Sequence, residues 1–367
     1  MPRALPVVVV LLATLVGGPR PLSAQSLDPS AAPSLEISLF ERYLEALRVQ
    51  AGIPGLSAAI VQRGRLIWEG GFGLRDVERS LPATPDTPYP IANLTETFAA
   101  VLMMQCVQNG LADLDDPIGR WAAAPDASVT LRALLSHTSD PGVGGFRYDP
   151  ARYAWLTPAI DRCDGTANAR VRVTEDILDR LGMVDAVPGL DVSDPASPVQ
   201  QIFDEKQISK YAAVLQRLAV PYVVDRRGRA TRSEYPAPRI DASTGLVASV
   251  RDLARFASAL DDAVLLGADT QALMWTPRAL ASAPGVALTA AAPMGLGWFV
   301  QTSGGERLVW HFGQLPGAAS GLLLRVPSKG LTFIMLANSD DLSAPFALTE
   351  GDVTASVFAR LFLRLFP

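Results

Sequence analysis

Chemistry in this chain is bounded first by its scarce reactive side chains: two histidines (His137, His311), two cysteines (Cys106, Cys163) and three lysines (Lys206, Lys210, Lys329). A hydroxyl is a poor nucleophile until a nearby base takes its proton. A lysine three residues after a serine shares its helix face and can do so. No Ser-x-x-Lys occurs anywhere, and no Gly-x-Ser-x-Gly elbow offers another serine. The cysteines form no metal or redox motif. The histidines lie far apart in sequence with no second ligand beside either, so a zinc site of the His-rich kind is not expected, nor is any cofactor. What remains are carboxylates, phenols and imidazoles that can move a proton if their surroundings suit.

The elements that would position them can be read from periodicity. Ile37, Phe40, Leu44 and Leu47 recur at helical spacing, with Gly52 as the stop. Leu56–Val61 and Leu66–Trp68 flank the turn Arg63-Gly64-Arg65 as a hairpin. A long helix is predicted from about Thr95 to Asn109, ending at Gly110, and another from the N-cap Thr130. Helical patterns follow at 174–181 and 250–260, then strands at 296–301, 308–311, 321–326 and 331–336, and a last helix over about 352–366. Strands near both ends around a helical middle predict an α+β fold: an antiparallel sheet flanked by terminal helices, with an inserted mainly helical region. The expected division is a sheet subdomain of about 35–130 plus 291–367 and a helical subdomain of about 131–290.

Several segments then carry a resemblance. The run Thr87-Pro88-Tyr89-Pro90-Ile91-Ala92-Asn93-Leu94-Thr95-Glu96-Thr97-Phe98 with Asn109-Gly110-Leu111 resembles the active-site helix of the serine β-lactamase and penicillin-binding-protein superfamily, class C type. So do Leu134-Leu135-Ser136-His137-Thr138-Ser139, Leu181-Gly182-Met183, Gly245-Leu246-Val247-Ala248-Ser249, Gly295-Leu296-Gly297-Trp298 and His311-Phe312-Gly313, in the family's order. The resemblance implies a β-lactamase/transpeptidase-like fold. It also implies that Asn93 and Glu96 occupy the positions of the family's Ser and Lys. An amide forms no acyl-enzyme, and the cation has become a carboxylate. The family's Tyr-x-Asn is matched by Tyr148-Asp149-Pro150, supported by Tyr153, so Tyr148 is retained while Pro150 removes an amide. His311-Phe312-Gly313 resembles the strand bordering the cleft, with His311 expected to face that cleft and Gly313 to admit a ligand. His137 is expected to be a structural residue beneath it.

These readings predict a degenerate active site. No residue is expected to be catalytic by the family mechanism. Asn93, Glu96, Tyr148, His311 and Gly313 would instead line a ligand-binding cleft for a small molecule or peptide. A lysine-to-glutamate exchange turns attraction for an anionic ligand into repulsion, of order 4 kcal/mol per contact at about 4 Å. Glu96 is alternatively protonated by burial or paired with an arginine. The leading expectation is a pseudoenzyme. The alternatives are a hydrolase of esters, amides or peptides in which Glu96, Tyr148 or His311 acts on a bound water, and a structural or partner-binding envelope module.

Composition narrows the surroundings. The chain is 49% hydrophobic and 19% charged, enough to build a core, and its net charge of -5 gives no footprint for nucleic acid. Arg3, an apolar run from Pro6 to Val16 and a small residue at Ala24 predict a cleaved signal peptide over 1–24, then a linker over 25–34. The expected location is secreted or periplasmic, with no integral membrane segment after cleavage. Cys106 reads as a buried small hydrophobe, and export would allow a Cys106–Cys163 disulfide.

Overall fold

Ser34 opens the first helix by accepting the Ile37 N–H on its hydroxyl, and Gly52 closes it in the left-handed conformation. In the computed structural model the described residues are 34–140, 142, 145–165, 168–236, 240–278 and 293–366. The expected signal peptide, and the linker up to residue 33, lie outside them. Helix α1 (Leu35–Ala51) buries Ile37, Phe40 and Leu44. Strands β1 (Gly55–Gln62) and β2 (Arg65–Asp76) follow, joined through Arg63 and Gly64, both left-handed as a two-residue hairpin turn requires.

The remaining elements of the sheet are β3 (Leu81–Pro82), then β8 (Phe299–Ser303), β9 (Glu306–Leu315), β10 (Ala319–Val326) and β11 (Leu331–Ala337). Between them in sequence come the short ribbons of β4 (Tyr89–Pro90) with β7 (Val247–Ala248) and β5 (Tyr222–Val224) with β6 (Ala230–Arg232). The seven-stranded order is β3-β2-β1-β11-β10-β9-β8. Each neighbouring pair runs antiparallel. The β1–β11 pair brings the two ends of the chain together at the middle of the sheet. The fold is thus the α+β, antiparallel arrangement that the sequence pattern predicts.

Alternation decides which face each strand residue serves. On β1, β9, β10 and β11 the residues Ile60, Trp310, Phe312, Leu324 and Phe333 join one core with Phe40 of α1 and Phe358 and Phe362 of α10 (Val357–Leu365). Their neighbours Ala59, Val61, Val309, Leu323 and Ile334 join the other core. Helix α2 (Thr95–Gln108) lies within that second core, buried at every position from Thr95 to Met104. A helix apolar on all sides belongs in an interior, which is why its one acidic residue matters.

The middle of the chain supplies α3 (Leu131–Leu135), α4 (Pro150–Tyr153), α5 (Thr157–Arg162), α6 (Ala169–Arg172), α7 (Glu205–Leu215), α8 (Val250–Asp261) and α9 (Ala268–Met274). Residues 173–179 continue α6 with wider, π-type winding. Helix α8 packs on β1 and β11, so a segment inside the expected helical subdomain belongs spatially to the sheet. Cys106 of α2 is buried and forms a disulfide with Cys163 at the end of α5. Two elements start later than the periodicity predicts. The strand expected from 296 starts at Phe299, because Gly297 turns the chain at φ +74. The last helix begins at Val357, where the Ser356 hydroxyl caps it, and 353–355 form a separate turn.

The N-terminus of α8 holds a charge that burial penalises. Ser249 and Asp252 form a reciprocal capping box. Burial, and then the charge of Asp185, push Asp252 from its ordinary 3.8 to about 6. A carboxyl raised on folding stabilises the fold below its unfolded value, and that stabilisation is lost as pH rises to about 6. Asp252→Asn keeps an oxygen acceptor and does not titrate. Its stability relative to the natural chain is expected to rise by about 2 kcal/mol between pH 4 and pH 7 in urea unfolding. A difference that stays constant with pH contradicts this account of Asp252.

Candidate functional site

The first turn of α2 carries both exchanged positions. Ala92–Leu94 form a single 3₁₀ turn that leads into the helix, with Ala92 left-handed at φ +48. Asn93 is half-buried, and its Nδ2 donates to the Ser243 carbonyl at 3.3 Å. Glu96 follows one turn later with 0% of its surface exposed. A carboxylate in such a place is tolerated only if both its oxygens are hydrogen-bonded.

They are. The Glu96 Oε2 lies 3.0 Å from His137 Nε2 and 3.2 Å from His311 Nε2, and Oε1 accepts the Tyr148 hydroxyl at 3.3 Å. Tyr153 donates to the Glu96 main-chain carbonyl at 3.0 Å. The partners of the other ring nitrogens fix the protons. His137 Nδ1 accepts the Asp149 backbone N–H at 2.9 Å, so its single proton sits on Nε2 and is given to Glu96. His311 Nδ1 lies 2.8 Å from the Phe312 carbonyl, which can only accept, so that nitrogen is protonated. The Glu96–His311 contact therefore holds one shared proton. Burial pushes the Glu96 carboxyl up, but the two imidazoles outweigh it and hold the group below its ordinary value.

Each partner is delivered by a different element. His311 points to α2 because β9 alternates: Val309 and His311 share the face opposite Trp310 and Phe312. His137 sits just beyond α3 in the left-handed region, φ +50, a strained conformation for a side-chain-bearing residue. Tyr148 precedes α4, whose N-cap is Asp149 and whose first residue is Pro150, where a missing N–H costs nothing. Tyr148-Asp149-Pro150 is thus a helix start whose free backbone N–H orients His137. The His137 ring stacks on Tyr153 and leans on Tyr148, which packs against Phe299 and Phe312. Gly297 closes the other side: a Cβ there would lie 2.4 Å from Ala100 Cβ and 2.7 Å from the Tyr153 hydroxyl.

Burial and phenol chemistry limit what this arrangement does. Burial, and then the Glu96 charge, push Tyr148 and Tyr153 well above the ordinary phenol value, so both remain donors at neutral pH. His311, expected to border an open cleft, is 0% exposed: β9 packs against the 92–94 turn that leads into α2, and the ring reaches Glu96. Gly313 is buried as well, and the group it admits is the Ile91 carbonyl, 2.3 Å from where a Cβ would stand. Asn93 and Tyr148 keep partial exposure. Among the described residues Glu96 forms ion pairs with histidines and none with an arginine. The two histidines, distant in sequence, meet at one carboxylate oxygen. That convergence does not suit a cation: a metal bound at His137 Nε2 needs its proton on Nδ1, where the Asp149 N–H already points.

A family model described as Beta-lactamase matches residues 40–353. The esterase EstB of Burkholderia gladioli is 32% identical over 133 residues, which cover 33% of this chain and 34% of the esterase. The match thus spans about a third of that curated relative. The octameric penicillin-binding protein homologue from Pyrococcus abyssi aligns with a TM-score of 0.69 at 23% identity, covering 90% of this chain and 77% of that one. The D-amino acid amidase from Ochrobactrum anthropi SV3 aligns with a TM-score of 0.65 at 22% identity, covering 90% and 98%. At these identities the structures attest the fold.

The network fixes how the two exchanged positions differ in weight. Glu96→Lys removes the buried acceptor and puts an ammonium against the His137 N–H and the His311 ring, and is expected to cost about 3–5 kcal/mol in urea unfolding. Asn93→Ser loses one long hydrogen bond at a half-exposed position and is expected to cost about 1 kcal/mol or less. The double variant should therefore melt close to Glu96→Lys alone. A double variant as stable as the natural chain would contradict the assigned role of Glu96.

Proposed function

The chain belongs to the beta-lactamase family, and on that premise we propose that it is an exported, non-catalytic member whose nucleophile and base positions have become a structural lock. One observation carries the reading: Glu96 is fully buried and both of its oxygens are engaged by His137, His311 and Tyr148. Asn93 offers an amide where acyl transfer needs a hydroxyl. Tyr148 is held as a donor, which removes it as a base. A ligand entering the cleft, whether a small molecule or a peptide, meets Asn93 and Tyr148, the partly exposed members of the set.

Export rests on the N-terminal pattern ending near Ala24 and is supported by the Cys106–Cys163 disulfide, a bond that persists in oxidising compartments. Relatives named as an esterase and an amidase keep hydrolysis as the competing reading. That chemistry would require water to reach a carboxylate or imidazole, and the complete burial of Glu96 and His311 counts against it.

Intact-mass spectrometry after exposure to a penicillin-type probe and a fluorophosphonate, run beside an activated-ester assay, separates the two. The proposal expects no added mass and no turnover above buffer. A stable adduct mapped to one residue would overturn it by naming a nucleophile. Turnover without an adduct, abolished in Glu96→Gln or His311→Ala, would establish the water-activating hydrolase instead.

A further inference from the structure

Helix α2 has a second functional-looking face. Thr95, Phe98, Ala99 and Leu102, spaced i, i+3, i+4 and i+7, form a stripe turned away from Glu96 and line a cavity of about 200 Å³. Its opposite walls are Ile160 and Val173 together with Ile202, Ile240 and Leu246. An apolar cavity of about 150 Å³ is enough to take up benzene, so this one accommodates a single aromatic ring or a short alkyl chain.

Charge along the same wall is one-sided. The one cation among the described lining residues, Arg170, is already neutralised: Nη1 and Nη2 grip the two Asp191 oxygens at 2.8 and 3.0 Å. Two carboxylates on the lining have no such partner. Asp161 Oδ1 accepts the Ala169 N–H, and Asp241 Oδ1 accepts from Ser243 and Thr244. Neither residue pairs with a cation among the described residues, and each leaves its second oxygen without a hydrogen-bond partner there.

We propose that this cavity beneath α2 is a binding site for a small apolar amine, a ring or short chain carrying a primary ammonium that reaches Asp161 and Asp241. The apolar walls supply non-directional burial, and the two free carboxylate oxygens select the cation over neutral and anionic isosteres. The site is separate from the Glu96 network, and it stands whether or not the chain hydrolyses anything.

Calorimetric titration of the full chain with 2-phenylethylamine, 2-phenylethanol and 3-phenylpropionate tests it. The amine is expected to bind at least about ten-fold more tightly than the alcohol, and the acid most weakly. In Asp161→Asn/Asp241→Asn, where the acceptor oxygens that hold the local turns are kept, amine and alcohol should bind equally. Ala99→Phe fills the cavity and should abolish binding of both, with its thermal midpoint recorded to confirm folding. Equal binding of amine and alcohol to the natural chain, binding that survives in a folded Ala99→Phe, or no binding of the amine would each overturn the proposal.

Discussion

The structure depends on one carboxylate kept out of water. Glu96 stands in the first turn of a helix buried from Thr95 to Met104, and an ionised group there is stable only while its oxygens are occupied. That requirement reaches across the fold. Strand β9 must alternate so that His311 faces the helix, and the chain after α3 must hold His137 in a left-handed turn. The α4 N-terminus must leave the Asp149 N–H free for the imidazole, and residue 297 must be glycine for the chain to close over Ala100. Removing any of these leaves a charge or a donor unpaired in an apolar interior.

The proton arrangement explains how a buried helix carries an anion. His311 shares a proton with the carboxylate, and His137 and Tyr148 each give one further hydrogen bond. Both carboxylate oxygens are thereby engaged within the fold. The left-handed backbone at Ala92 and His137 remains on either side of the site. Strain of this kind costs about 1–3 kcal/mol per residue and is familiar where chemistry is done. Here it positions a lock.

Much of the frame was legible from the sequence because it rests on local rules. The apolar spacing of α1, the Gly52 stop, the Arg63-Gly64 turn and the Thr130 cap are each decided within a few residues. The alternating strands near both ends foretold the antiparallel sheet. The sequence singled out Asn93, Glu96 and Pro150 as candidate site positions, but their geometry was not legible in it. His137 and His311 lie 41 and 215 residues from Glu96, and nothing local announces that both reach one oxygen. The expected exposure of His311 and the ligand space at Gly313 failed for the same reason: only the packing of β9 on the 91–94 turn decides them. Helix α8 crossed an expected subdomain boundary because a contiguous stretch of chain need not stay in one layer.

The direct test of the lock is the protonation of the two imidazoles, and the chain contains only two histidines, so both are resolved in a single long-range ¹H–¹⁵N correlation spectrum. The account predicts, at neutral pH, one neutral ring protonated at Nε2 with a bare Nδ1, His137, and one ring protonated at Nδ1 and sharing a second proton at Nε2, His311. Finding His137 protonated at Nδ1, or His311 bare at Nδ1, would contradict the hydrogen-bond pattern on which the buried carboxylate depends.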